Sequence, residues 1–163
     1  MGMAVTRDNS LAITISADHL ICRYDLGNNL NSAIAHPEPL ATKYPGNSAV
    51  AFRADGRVVG VAGWDGAVRL YSSGRPRLNE FKDQAQPESL RKMRSLGTLD
   101  YFKESCFALA FSSAADNTGS SGSQVFGGTD DAESSGCSNW LAVGGKNGRV
   151  AIWELDSFEK RGP

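Results

Sequence analysis

Three stretches of the chain repeat one pattern of apolar and polar positions: residues 11–26 (LAITISADHLICRYDL), 58–73 (VVGVAGWDGAVRLYSS) and 140–155 (WLAVGGKNGRVAIWEL). Each opens with an apolar run and steps down through a small residue, Ser16, Gly63 or Gly145. It then turns at Asp18, Asp65 or Asn147 and returns as an alternating run ending in an aromatic, Tyr24, Tyr71 or Trp153. A period of two puts successive side chains on opposite faces of a strand, so each stretch predicts one β-hairpin. Val68 and Leu70, like Val150 and Ile152, fall on one face, with Arg69 and Ala151 on the other. Asp65-Gly66 and Asn147-Gly148 are dipeptides that accept the positive φ angles of tight hairpin turns. A further apolar strand precedes two of the hairpins, at 49–52 (AVAF) and 108–111 (ALAF), and 96–99 (LGTL) reads as an outer fourth strand of the second unit.

One supersecondary unit repeated along a chain is the signature of a stacked or radial array. Asp18 and Asp65 lie 47 positions apart and Asp65 and Asn147 lie 82 apart. The first spacing is near the ~40–45 residues of a propeller blade, and the second requires insertions. Two are evident. Residues 74–94 hold Arg75, Arg77, Lys82, Arg91, Lys92 and Arg94 against Glu80, Asp83 and Glu88, a basic loop. Residues 113–139 are mostly Ser and Gly with Asp116, Asp130, Asp131 and Glu133 and no basic residue, too poor in apolar surface to offset the entropy of ordering. They are expected to be a disordered loop. The expected organisation is a single all-β domain over 1–163 with blade segments at 11–40, 44–100 and 105–155.

The bulk numbers narrow the function classes. Seventeen Lys and Arg against 18 Asp and Glu leave no global field for nucleic acid or an anionic membrane. Apolar runs fall far short of the ~20 residues that span a bilayer, and the N-terminus lacks a secretory pattern, so a nuclear or cytosolic address is expected and no membrane partner. Cys22, Cys106 and Cys137 form no C-x-x-C pair and have no histidine at ligand spacing, so no metal site is expected. The absence of any Asn-x-Ser/Thr site agrees with that address.

The turns Gly63-Trp64-Asp65-Gly66 and Gly145-Lys146-Asn147-Gly148, each followed by an alternating strand, resemble the WD-repeat family, and the match covers most of the chain outside the insertions. Within that family, Ile15-Ser16-Ala17-Asp18 with Arg23-Tyr24-Asp25-Leu26, Tyr44-Pro45-Gly46 leading to Ala62-Gly63-Trp64-Asp65, and the 141–146 segment (LAVGGK) resemble the C-terminal blades of fungal ASTRA-associated WD-repeat proteins. The resemblance implies a partial WD-repeat β-propeller, about two and a half to three four-stranded blades from the C-terminal part of a longer propeller of four to eight blades. It also implies a nuclear scaffold subunit, present in the cytoplasm as well, of the ASTRA complex. That complex is linked to chromatin remodelling and to assembly of phosphatidylinositol-3-kinase-related kinases with a Tel2-type cochaperone.

The chain departs from the family pattern in places. The family's histidine before the first strand of each blade, which fixes the turn Asp, has no counterpart here; His19 and His36 lie elsewhere, and Tyr44 and Phe102 fall near its place. Asp65 is therefore expected to cap its own turn through backbone N–H groups. Arg23 falls where the other hairpins have Leu70 and Ile152, so either its stem lies along an apolar wall or the register shifts. The chain is expected to be a fragment, or a truncated gene product, of a protein two to three times longer.

Candidate interface residues are Trp64 in its turn and Arg69 and Arg149 on the following strands; each has a bland alternative, packing on the neighbouring blade for Trp64 and a solvated strand face for the arginines. Asp18, Asp65 and Asn147 are the expected structural turn residues. The basic insertion has a single aromatic, Phe81, and hence no stacking platform for nucleic acid, while the acidic serine-rich loop offers phosphorylation sites or a mere low-complexity insertion. The glycine-rich 119–128 segment lacks the Lys-Ser/Thr and helix of a phosphate cradle. No nucleophile, base or paired carboxylates can be placed on one face, so no catalytic residue, cofactor or small-molecule substrate is expected. The expected function is non-catalytic protein binding. Its rivals are an unrelated WD-repeat adaptor and an incomplete fragment without independent function.

Overall fold

The computed structural model describes residues 1–26, 34–35, 38–75, 92–112 and 139–155. Among them are twelve strands and no helix. In chain order these are β1 (Gly2–Val5), β2 (Leu11–Ile15), β3 (Leu20–Asp25), β4 (Ile34–Ala35), β5 (Leu40–Ala41), β6 (Asn47–Phe52), β7 (Val58–Gly63), β8 (Ala67–Ser72), β9 (Arg94–Asp100), β10 (Cys106–Phe111), β11 (Trp140–Gly145) and β12 (Val150–Glu154). They form three antiparallel sheets. The first runs β1-β2-β3, with β4 and β5 both paired to β3; the second runs β6-β7-β8-β9; the third runs β10-β11-β12. The first strand of the second sheet, β6, lies beside β1 and β10, so the leading strands of the three sheets are neighbours. This all-β architecture is compatible with a partial β-propeller.

The hairpins fall where the alternation placed them, in a common register. Ile15 pairs with Ile21, Ala62 with Val68, and Gly144 with Val150, each pair flanking its turn. Gly66 and Gly148 take φ of 82° and 74°, angles that a side-chain-bearing residue adopts only under strain. Strand β9 covers the expected 96–99 segment and pairs along β8.

One feature goes beyond the sequence reading, and one alternative it left open is decided. Strand β1 pairs with β2 through Gly2↔Ile15 and Val5↔Ala12, so the first sheet begins ahead of the residue 11 expected for its segment. A four-residue strand is too short to declare a period of its own, and it is defined by the partner it finds. The register question at Arg23 also resolves: Arg23 sits opposite Ile13 as Leu70 sits opposite Gly60, with no shift. The side chain is only 4% exposed, and its Nη2 donates to Asp25 Oδ1 at 2.7 Å. An acidic neighbour two positions on neutralises a guanidinium laid along an apolar wall. The expected disordered loop at 113–139 lies outside the described residues except for Asn139, and the basic insertion does so over 76–91.

Stacking of the sheets makes two cores. Ile13, Ile15 and Ile21 of the first sheet meet Val59, Val61 and Tyr71 of the second. Ala62, Val68 and Leu70, from the other face of the second sheet, meet Leu141 and Val143 of the third, with Phe102, Cys106 and Leu155 closing the cluster. The middle sheet is therefore covered on both faces, which is why all six residues of β7 are buried and its sequence, VVGVAG, does not alternate.

Candidate functional site

The turns that close the three hairpins lie at one end of the sheets, and each is built on one acceptor. Asp18 Oδ1 accepts from the Leu20 N–H at 2.9 Å, Asp65 Oδ1 from the Ala67 N–H at 3.3 Å, and Asn147 Oδ1 from the Arg149 N–H at 3.0 Å. A short polar side chain bonding to the backbone two residues on satisfies a turn without help from elsewhere in the chain. Asp65 also pairs with Arg69 through both carboxylate oxygens. Burial works against its charge, but the Arg69 guanidinium and the Ala67 N–H hold the carboxyl below its ordinary value, and Asp65 in turn raises Arg69. The Asp18 carboxyl is lowered by hydrogen bonds from Ser16 and the Leu20 N–H.

A run of hydrogen bonds crosses from sheet to sheet at this end. The Gly46 N–H donates to Ala17 O at 2.9 Å, the Trp64 N–H to Gly46 O at 2.7 Å, Ser105 Oγ to Trp64 O at 2.8 Å, and the Lys146 N–H to Ser105 O at 2.8 Å. Each turn is thus tied to the loop that leads into the next sheet, and that loop to the next turn. A second tie runs behind it. Asn47 Nδ2 donates to Asp18 O at 3.2 Å, and Cys106, the residue in the same register of the third sheet, donates through Sγ to Gly66 O at 3.3 Å. Burial and the nearby Asp65 raise the Cys106 thiol, keeping it protonated as that donor requires.

Trp64 stands at the centre of this end. Its ring lies directly over Gly46, which at φ 91° has no Cβ to obstruct it, and Trp64 is nevertheless 50% exposed. The packed and exposed readings of this residue both describe part of it: one side of the indole rests on the loop before β6 and the other faces solvent. Tyr44, in that same loop, is exposed, with Lys43 Nζ 5.0 Å from its ring centroid. Tyr101 is exposed just after β9, whose last residue, Asp100, pairs with Ala67 beside the Asp65 turn; its ring meets those of Phe102 and Trp153 edge-on at 5.0 and 6.2 Å. The structure therefore brings three exposed aromatics to the turn end. Phe102, by contrast, is buried in the second core. Arg69 has its guanidinium committed to Asp65 and a side chain only 12% exposed, whereas Arg149 is exposed beside the third turn.

No protein-family model matches the chain. Curated fungal relatives do. A protein named ASTRA-associated protein 1 from Verticillium alfalfae is 24% identical over 95% of this chain and 38% of its own length. Its namesake from Aspergillus flavus is 28% identical over 88% of this chain and 33% of its own length. One from Schizosaccharomyces japonicus is 24% identical over 91% and 29%. The chain is similar to the ASTRA-associated proteins of fungi. It spans about a third of the length of these relatives. They are named as complex-associated proteins and not as enzymes.

Among the described residues no group of three His, Cys, Asp or Glu could hold a metal ion, and no helix is long and apolar enough to cross a membrane. Exposure of Tyr44 and Tyr101 escaped the sequence reading. Both adjoin strand ends at turn-side loops, and an aromatic there, outside the alternating strand pattern, was the available signal.

Proposed function

We propose that the chain is a non-catalytic, protein-binding scaffold of the ASTRA-associated type, working in the nucleus with a cytoplasmic pool. The observation that carries this reading is its similarity, over nearly its whole length, to proteins named for association with that complex. Its partners are then protein subunits of an assembly linked to chromatin remodelling and to maturation of phosphatidylinositol-3-kinase-related kinases. The turn end supports the reading physically. Half-exposed Trp64, with Tyr44 and Tyr101 at the same end, supplies rigid amphipathic area of the kind that anchors protein interfaces.

Tagged protein expressed at native level and purified from its own cells, with partners identified by mass spectrometry, tests this. Recovery of a Tel2-type cochaperone with large kinases or helicase ATPases is expected; a different partner set, or none, overturns the reading. In the same assay Trp64→Ala is expected to weaken capture by more than ~1 kcal/mol while thermal stability falls only slightly. Loss of folding would instead make Trp64 a core residue.

A further inference from the structure

The hydrogen-bonded run at the turn end passes through Ala17, Gly46, Trp64, Ser105 and Lys146 in succession. Backbones joined in this way lie about 5 Å apart, so the run is about 20 Å long, the length of about six residues of extended chain. Trp64 holds the place in its turn that Lys146 holds in the third, and it is half-exposed although a sheet lies on either side of its own. Exposure along the run is thus a property of the turn end and not of an uncovered sheet face.

Charge along the run is answered on one side only. Lys43 and Lys103 stand in the two loops that the run crosses, Lys146 in the third turn and Arg149 just after it. All four are exposed, and none has an ion pair among the described residues. The carboxylates at this end are engaged within the chain to a greater degree. Asp65 is paired with Arg69, Asp100 lies near the same guanidinium, and Asp18 accepts the Leu20 N–H of its own turn. Glu104, exposed beside Lys103, is the remaining acid among the described residues here. Trp64, Tyr44 and Tyr101 add exposed apolar area to the same surface.

We propose that the turn end binds an acidic segment of a partner protein in extended conformation, with an apolar side chain seated on Trp64 and carboxylates reaching Lys43, Lys103 and Lys146. This rests on the protein-binding reading above and names the chemistry of the segment bound. The backbone groups of the run are already hydrogen-bonded from sheet to sheet, so the segment is held by its side chains and not as an added strand. Exposed ion pairs are individually weak and screened by salt, so several act together with the aromatic anchor. A peptide can set its carboxylates opposite the lysines and leave Asp18 and Glu104 unopposed. A nucleic acid, with a phosphate at every residue, would press like charge on both.

Selection of phage-displayed random peptides of about ten residues, enough to follow the run, against the full native chain tests this. Enriched peptides are expected to carry several Asp or Glu around one aromatic or aliphatic residue, and a fluorescein-labelled synthetic copy to bind by fluorescence anisotropy. Lys43→Glu, Lys103→Glu and Lys146→Glu together should weaken that binding at least ~10-fold, and about 0.5 M NaCl should do the same. Trp64→Ala should weaken it at least ~5-fold. Arg94→Glu, at an exposed position towards the opposite end of the second sheet, should leave it unchanged, because a local site and not overall charge is being read. The three lysines are exposed and make no ion pair, so circular dichroism and thermal melting of the triple variant should match the native chain. Enrichment of neutral or basic peptides, no enrichment at all, binding that survives the triple variant, or tighter binding of a single-stranded oligonucleotide overturns the proposal. Capture from cells separates its failure from that of the broader reading: partners recovered equally by native chain and triple variant leave the protein-binding function standing and remove the acidic segment.

Discussion

Asp65 combines two tasks, accepting the Ala67 N–H that closes its turn and holding the Arg69 guanidinium, and a pair of substitutions separates them. Asparagine keeps the turn acceptor and loses the charge, so Asp65→Asn is expected to reduce stability by no more than ~1 kcal/mol, the scale of a partly exposed ion pair. Asp65→Ala loses both and should cost about 1–2 kcal/mol. The pH dependence follows from the direction of the shift. The folded state holds the carboxyl below its ordinary 3.8, so the charge contributes its full stability above that pH and loses it as the pH falls through the lower folded value. Urea midpoints should therefore separate native protein from Asp65→Asn at pH 7, and the gap should narrow as the pH falls from 3.8 through the lower folded value; a gap independent of pH would refute a role for the charge. Asp18, Asp65 and Asn147 were legible in the sequence because an Asx side chain serves its own turn locally. The burial of Arg69 against Asp65 was not, because alternation assigns a face without saying what stands beside it.

At the scale of strands, the same sequence position has different weight in different sheets. Leu70 and Ile152 occupy one register, but Leu70 lies between sheets and Ile152 on an open face. Leu70→Ala should cost about 2–5 kcal/mol, as for any fully buried leucine whose cavity cannot collapse. Ile152→Ala should change stability, read from urea denaturation, by less than ~0.5 kcal/mol. A loss approaching that of Leu70→Ala would mean that the Ile152 face is already covered within one chain. The hairpins were readable from alternation and from Asp65-Gly66 and Asn147-Gly148, since those signals are local. Strand β1 was not, since Gly2–Val5 acquires strand character by pairing with β2 and lying beside β6. Arg23 was readable only as a choice between two outcomes; the Asp25 carboxylate within reach of its guanidinium selects the unshifted register.

Across the whole molecule, burial is graded from the middle sheet outwards, and stability should follow the same gradient. Amides of β7 and β8 lie in a sheet packed on both faces, and their exposure requires both cores to open. Amides of β11 and β12 are protected by one core, and the far face of their sheet carries Val150 and Ile152 in solvent. The hydrogen-bonded run from Ala17 through Gly46, Trp64 and Ser105 to Lys146 links the sheets at the turn end, but four backbone and hydroxyl bonds are weak beside the apolar contacts they accompany. Native-state hydrogen exchange should therefore show at least two opening units, with β7 and β8 exchanging most slowly and β12 fastest among the core strands. Uniform protection across all three sheets would mean that the chain opens as one unit.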